Sequence, residues 1–148
     1  MKRYLAFISL MLLGIPFFTS AQIRKIPSEV TESFRQKYPL AENVEWRDKL
    51  TGFTAAFALN DSSYVASYNN EGDWEQTELE ISQESLPEVI KDSFGKSKYA
   101  DWEIEHVYRI ELPDNILQYR IQVMKTDIRK RNLFFNVKGR MLRDKITL

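Results

Sequence analysis

The chain has 148 residues with 21 basic and 21 acidic side chains, one histidine and no cysteine. Disulfides, thiol-linked lipid anchors and Cys-based metal sites are therefore excluded, and the balanced charge argues against a nucleic-acid binder.

The chain opens with a basic triplet, Met1-Lys2-Arg3. An apolar run follows over residues 4–18, then the small residues Thr19-Ser20-Ala21. This is the layout of a secretory signal, with cleavage expected after Ala21. The apolar run is shorter than the roughly 20 residues a bilayer span requires, so no membrane insertion is expected after cleavage. Removing residues 1–21 takes away two cations and leaves a mature domain, 22–148, with a net charge of −2. The destination is periplasmic or secreted.

IPSEVTESFRQKY, 26–38, places Val30, Phe34 and Tyr38 at helical spacing, and Tyr38-Pro39 marks its end. Alternation of period two follows in ENVEWRD and GFTAAFAL, then in SYVASYNNEGDWEQTE, whose Gly72 marks a hairpin turn. A second helix is predicted over 86–99, with Ile90 and Phe94 on its apolar face and Ser85 and Glu88 at capping-box spacing. Four more strand-like runs follow: WEIEHVYRIEL, LQYRIQV, NLFFNV and RMLRDKI. The last two meet at a turn carrying Gly139. The predicted fold class is α+β: two tandem repeats of a helix plus a four-stranded antiparallel sheet, about 26–80 and 85–147. The helices lie on one face and the other sheet face is open.

The order Ile26-Pro27, Phe34, Tyr38-Pro39, Val44, Trp46, Tyr68, Gly72, Trp74, then Leu86-Pro87, Phe94, Tyr99, Tyr119 and Gly139 resembles the PepSY-like family of secreted Bacteroidetes proteins. That family is grouped with the beta-lactamase-inhibitor-protein-like fold. The second half departs from the pattern with Ala100 after Tyr99 and an extra turn at Leu112-Pro113-Asp114-Asn115. The resemblance implies a non-catalytic periplasmic module that binds or inhibits a protein or peptide, and it carries no catalytic residues.

Few groups suggest chemistry. His106 has no cysteine to join it as a ligand and no local nucleophile motif, so it reads as a strand residue with a structural hydrogen bond. The Glu-rich stretch 73–88 lacks the Gly-containing loop of a calcium site. Asn60-Asp61-Ser62 reads as a polar hairpin turn. No catalytic, cofactor or metal site is predicted. A small hydrolase or metal-dependent envelope enzyme built on Glu or Asp with His106 is the alternative.

Charge is segregated along the chain: residues 61–92 carry a net −8 and residues 117–145 a net +7. One reading has charged strands guarding sheet edges or complementing one another; the other has a charged end docking an envelope protein or peptide. Weak self-association between the two ends is a third reading. Trp46, Tyr68 and Tyr119 are assigned to the core. The candidate binding surface is Tyr64, Trp74 and Tyr108 as outward aromatics, with Arg129, Lys130 and Arg131 at the basic turn.

Overall fold

The computed structural model describes residues 24–147. The predicted signal segment, 1–21, lies outside them. A helix α1 (Ser28–Lys37) leads into four strands, β1 (Glu42–Lys49), β2 (Gly52–Leu59), β3 (Ser62–Asn69) and β4 (Trp74–Ile81). After a short turn, α2 (Glu88–Gly95) leads into β5 (Glu103–Leu112), β6 (Ile116–Thr126), β7 (Arg129–Asn136) and β8 (Met141–Thr147).

The expected pair of four-stranded repeats is not what forms. All eight strands make one antiparallel sheet in the order β1-β2-β3-β4-β5-β6-β7-β8, because β4 pairs with β5 from Thr77 opposite Glu111 to Ile81 opposite Val107. The molecule is mostly sheet with two helices. Two separate sheets would each have left an edge of unpaired N–H and C=O groups at this junction; joining them satisfies both.

Cross-strand partners lie on one side of a sheet, so the register fixes which residues share a face. Phe57, Tyr64, Leu79, Arg109, Tyr119 and Phe135 are successive partners from β2 to β7. Phe57 packs edge-on against Phe34 of α1, with ring centroids 5.1 Å apart. Tyr119 and Phe135 share a buried cluster with Ile90 of α2. Both helices therefore cover the same face. Val30 and Phe34 of α1 pack onto Phe53, Ala55, Phe57, Ala66 and Tyr68 of the sheet, and Trp46 packs against them. The assigned core aromatics Trp46, Tyr68 and Tyr119 all lie on this side.

Between the two clusters runs a polar seam. Thr77, 5% exposed, accepts from Trp74 Nε1 at 2.9 Å and hydrogen-bonds the Tyr38 hydroxyl. Lys37 reaches Glu111 of β5 at 3.7 Å.

The two glycine hairpins use one device. Asn69 Oδ1 accepts from the amides of Glu71 and Asp73, and Asn136 Oδ1 from those of Lys138 and Arg140. Gly72 and Gly139 have φ of +93° and +81°, which side chains disfavour. Each is also pressed onto a helix: a Cβ on Gly72 would sit 2.8 Å from the Glu29 carbonyl carbon, and one on Gly139 would sit 2.7 Å from Val89 O. Asn60-Asp61, both at positive φ, close the two-residue β2–β3 turn as its polarity suggested.

The second helix is shorter than predicted and lacks the capping box. Pro87 is its N-cap with no side-chain bond; Ser85 instead contacts Ser82 Oγ at 3.0 Å, and Glu88 accepts from Lys91 at 2.7 Å. Gly95 ends it early, before the turn that delivers Tyr99 and Trp102.

One continuous sheet predicts one cooperative unit. Urea unfolding followed by tryptophan fluorescence and by far-UV circular dichroism will give a single coincident transition. Ile121→Ala, under α2, will cost about 2–5 kcal/mol and lower the protection of β2–β3 amides as much as that of β6–β7 amides. Two separable transitions would contradict the joined sheet.

Candidate functional site

The six candidate residues fall in three places. Tyr64 and Trp74, expected as outward aromatics, lie on the helix-covered face; the correction follows from their register, since Tyr64 opposes Leu79 and Trp74 opposes Tyr68. Tyr64 stacks on Phe57 at 5.6 Å and an interplanar angle of 19°. Trp74 is tied to Thr77 and carries Lys37 Nζ 3.6 Å over its ring. Both are half-buried scaffold.

Tyr108 is on the face that no helix covers. Its partners are Glu80 on β4 and Arg120 on β6. The Arg120 guanidinium lies 4.1 Å over the Tyr108 ring and donates to Glu78 Oε2 at 2.7 Å, with both charged side chains at most 20% exposed. Burial is the first cause raising the Tyr108 hydroxyl above its ordinary pKa of 10.0. His106 Nδ1 meets Glu80 Oε1 at 2.7 Å, and among the described residues no Ser, Thr or Cys hydroxyl or thiol bonds to its ring. The imidazole–carboxylate pair joins β5 to β4 on the open face. Two strands along, on the same face, Arg143 lies 4.0 Å over Phe134, which is 8% exposed. Ile110, at 1%, is enclosed on the same face between Glu78 and Gln118.

The β2–β3 part of this face is different. Thr54, Ala56, Ala58, Ser63, Val65 and Ser67 form a low, nearly uncharged floor, in which Val65 is 39% exposed. Among the described residues, three side-chain atoms on the β6–β7 part, Gln118 Oε1, Arg120 Nε and Asn132 Oδ1, are buried without a hydrogen-bond partner.

Arg129, Lys130 and Arg131 all line one cleft of about 480 Å³, although alternation along β7 sends the charged end of Lys130 towards the open face. Lys130 contacts Glu105 Oε1 at 2.5 Å, and Gln122 of the open face donates to the same carboxylate at 3.3 Å. The Lys130 hydrogen bond is the first cause holding the Glu105 carboxyl below its ordinary value. Lys98, Tyr99 and Trp102 line the same cleft. Its organising group is Asp144, which accepts from the Tyr99 hydroxyl and from Arg131 Nη1 at 3.3 Å and pairs with Lys98 at 3.6 Å. Among the described residues no group of three or more His, Cys, Asp or Glu is placed to hold a metal.

Sequence reasoning left out Arg120, Phe134, Arg143 and Trp102 as site residues. The first three are visible only through register, since each matters for what lies opposite or beneath it. Trp102 becomes a cleft wall only where the β6–β7 hairpin closes beside it.

An eight-stranded sheet with both helices on one face and a bare opposite face defines the class of protein. The PepSY-like family, described as beta-lactamase-inhibitor-like, matches residues 52–143, more than half of the chain. The chain belongs to that family. A DUF2874 family protein from Bacteroides ovatus ATCC 8483 is 26% identical with a TM-score of 0.74, over 83% of this chain and 89% of that one. A BLIP-like protein from Bacteroides fragilis NCTC 9343 is 21% identical with a TM-score of 0.71, over 84% and 88%. A protein from Bacteroides eggerthii DSM 20697, provisionally described as periplasmic, is 21% identical with a TM-score of 0.73, over 83% and 90%. No curated protein matches the chain. Among the described residues no helix is long and apolar enough to cross a membrane.

Asp144 supplies a pH test of the cleft. Its carboxyl is held below the ordinary 3.8, first by the Tyr99 hydrogen bond and then by Arg131 and Lys98. A lowered folded pKa contributes stability that is complete above the unfolded value and lost as pH falls through the folded one. Asp144→Asn will therefore lower Tm at pH 7, and the gap to the unsubstituted protein will close as the solution is acidified below 3.8. A gap that persists unchanged at low pH would remove the carboxylate from this role.

Proposed function

We propose that the chain is a non-catalytic binding module of the bacterial envelope, holding a partner protein or peptide against its open sheet face. The observation that carries this reading is the bare face itself: aromatic rings capped by guanidinium groups, Arg120 on Tyr108 and Arg143 on Phe134, stand beside the low floor of β2–β3. Tyr and Arg concentrate binding energy at interfaces, and small neutral residues let a partner approach the sheet closely. Arg143 and Lys145, together with Lys138 and Arg140 of the adjoining hairpin, have no ion pair among the described residues. The partner therefore brings carboxylates to the β7–β8 end and an apolar or main-chain surface to the β2–β3 end. Covering a partner's working surface in this way is the route to sequestration or inhibition. Export to the periplasm is the setting consistent with the N-terminal pattern and with the relative provisionally described as periplasmic.

Photocrosslinking in the producing cell tests this. A benzophenone amino acid at Val65 will give a discrete adduct, whereas the same group at Leu50, 97% exposed at the β1–β2 turn, will not. Tyr108→Ala combined with Arg143→Glu will cut the Val65 adduct at least about tenfold, the loss expected for removing hot-spot contacts. Circular dichroism confirms that the variant is folded. Equal adducts from both positions, or none from Val65, would overturn the reading.

A further inference from the structure

We propose that the cleft between the Lys98–Trp102 turn, the β6–β7 hairpin and the end of β8 binds a small amphipathic organic anion: one carboxylate, sulfate, sulfonate or phosphate group on a flat apolar body. This site is on the helix-covered side of the sheet and does not depend on the open-face reading.

Its floor is aromatic and fixed. Tyr99, 4% exposed, belongs to the cluster under α2, and Trp102 packs against that cluster while meeting Tyr99 edge-on at 5.1 Å and 86°. The turn is closed by the Trp102 amide donating to Tyr99 O at 2.9 Å. Above the floor stand cations. Arg129 lies 5.7 Å from the Trp102 centroid, Arg131 lies 6.0 Å and Lys98 5.1 Å from the Tyr99 centroid.

The carboxylates present do not neutralise this set. Asp144 is already shared by Tyr99, Arg131 and Lys98, and Asp101 serves Lys125 across 3.4 Å. Lys130 is drawn to Glu105. Arg129 has no ion pair or side-chain hydrogen bond among the described residues, so its fork is available for a two-oxygen anionic group.

An anionic group alone would leave the rest of the cleft unexplained. Ile128 and Ile146, 91% and 65% exposed, flank the Arg129–Trp102 pair and present apolar surface to water. A ligand body lying on Trp102 between the two isoleucines covers that surface while its charged end meets Arg129. The volume, about 480 Å³, lies in the range of roughly 300–1,000 Å³ usual for small-molecule sites and is too small for a folded partner.

Amide shift mapping with matched probes tests both halves of the ligand. Naphthalene-2-sulfonate will bind saturably, with shifts confined to the Lys98–Trp102 turn, the β6–β7 hairpin and Ile146. Naphthalene-2-sulfonamide keeps the body and loses the charge; inorganic sulfate keeps the charge and loses the body. Each will bind at least about tenfold more weakly, the scale of one lost charged or aromatic contact. Arg129→Glu, on an exposed hairpin, will weaken sulfonate binding by a similar factor, while Arg143→Glu on the opposite face will leave it unchanged. Equal affinity for the sulfonamide, shifts centred on the open face, or indifference to Arg129→Glu would each overturn the assignment. Tighter, Arg129-dependent binding of a glutamate-rich peptide without aromatic residues would replace the small molecule by a peptide.

Discussion

The pairing of β4 with β5 is the interaction on which the rest of the molecule depends. Its register, Thr77 opposite Glu111 through Ile81 opposite Val107, brings two apolar clusters side by side, each with one short helix of 10 or 8 residues above it. Neither helix is long enough to be stable alone, and neither cluster spans more than half of the sheet. The junction is also where apolar packing is thinnest. Thr77, Tyr38, Trp74 and the Lys37–Glu111 pair fill it instead: Thr77 hydrogen-bonds Tyr38 and Trp74, and Lys37 reaches Glu111 of β5. Hydrogen bonding between strands thus carries the continuity that side-chain packing alone would not supply.

From that continuity comes an uncovered face eight strands wide, and charge segregation acquires a physical meaning there. The acidic stretch supplies Glu78 and Glu80 of β4, and the strands that follow answer with Arg120 and His106. Internal complementarity accounts for this part of the pattern. It does not account for Arg129, Arg143 and Lys145, which have no carboxylate partner among the described residues and cluster towards the β8 edge. The excess positive charge is therefore placed at one end of the sheet, displayed on both faces, where it orients whatever approaches.

Much of this was legible in the amino-acid sequence because it rests on local rules. Gly72 and Gly139 marked hairpins, Phe53, Phe57 and Tyr119 marked buried strand faces, and Asn60-Asp61 marked a tight turn. What was not legible is whatever depends on which strands become neighbours. The β4–β5 pairing joins residues about 30 positions apart, across a helix, and no periodicity reports it. Tyr64 and Trp74 were misplaced for that reason: alternation says that successive side chains oppose one another, but only register says which set meets the helices. Trp74 follows a register shift opposite Ser67 and Tyr68, so its phase could not be carried over from Gln76 and Glu78. The capping box failed differently, because Ser82 and Lys91 competed successfully for Ser85 and Glu88.

The open face and the cleft share β7 and β8, and β7 shows how they stay separate. Lys130 and Arg131 are adjacent, yet one reaches Glu105 on the bare side and the other Asp144 on the helix side. Pairing with β6 and β8 on either flank holds the β7 backbone, so moving one side chain cannot rotate its neighbour. At the other end of β7, the β7–β8 hairpin seats Gly139 against Val89 of α2. Coupling between sites requires an element with two arrangements that both ligands bias. A strand locked on both edges provides none, and the geometry therefore favours two independent surfaces on one rigid sheet.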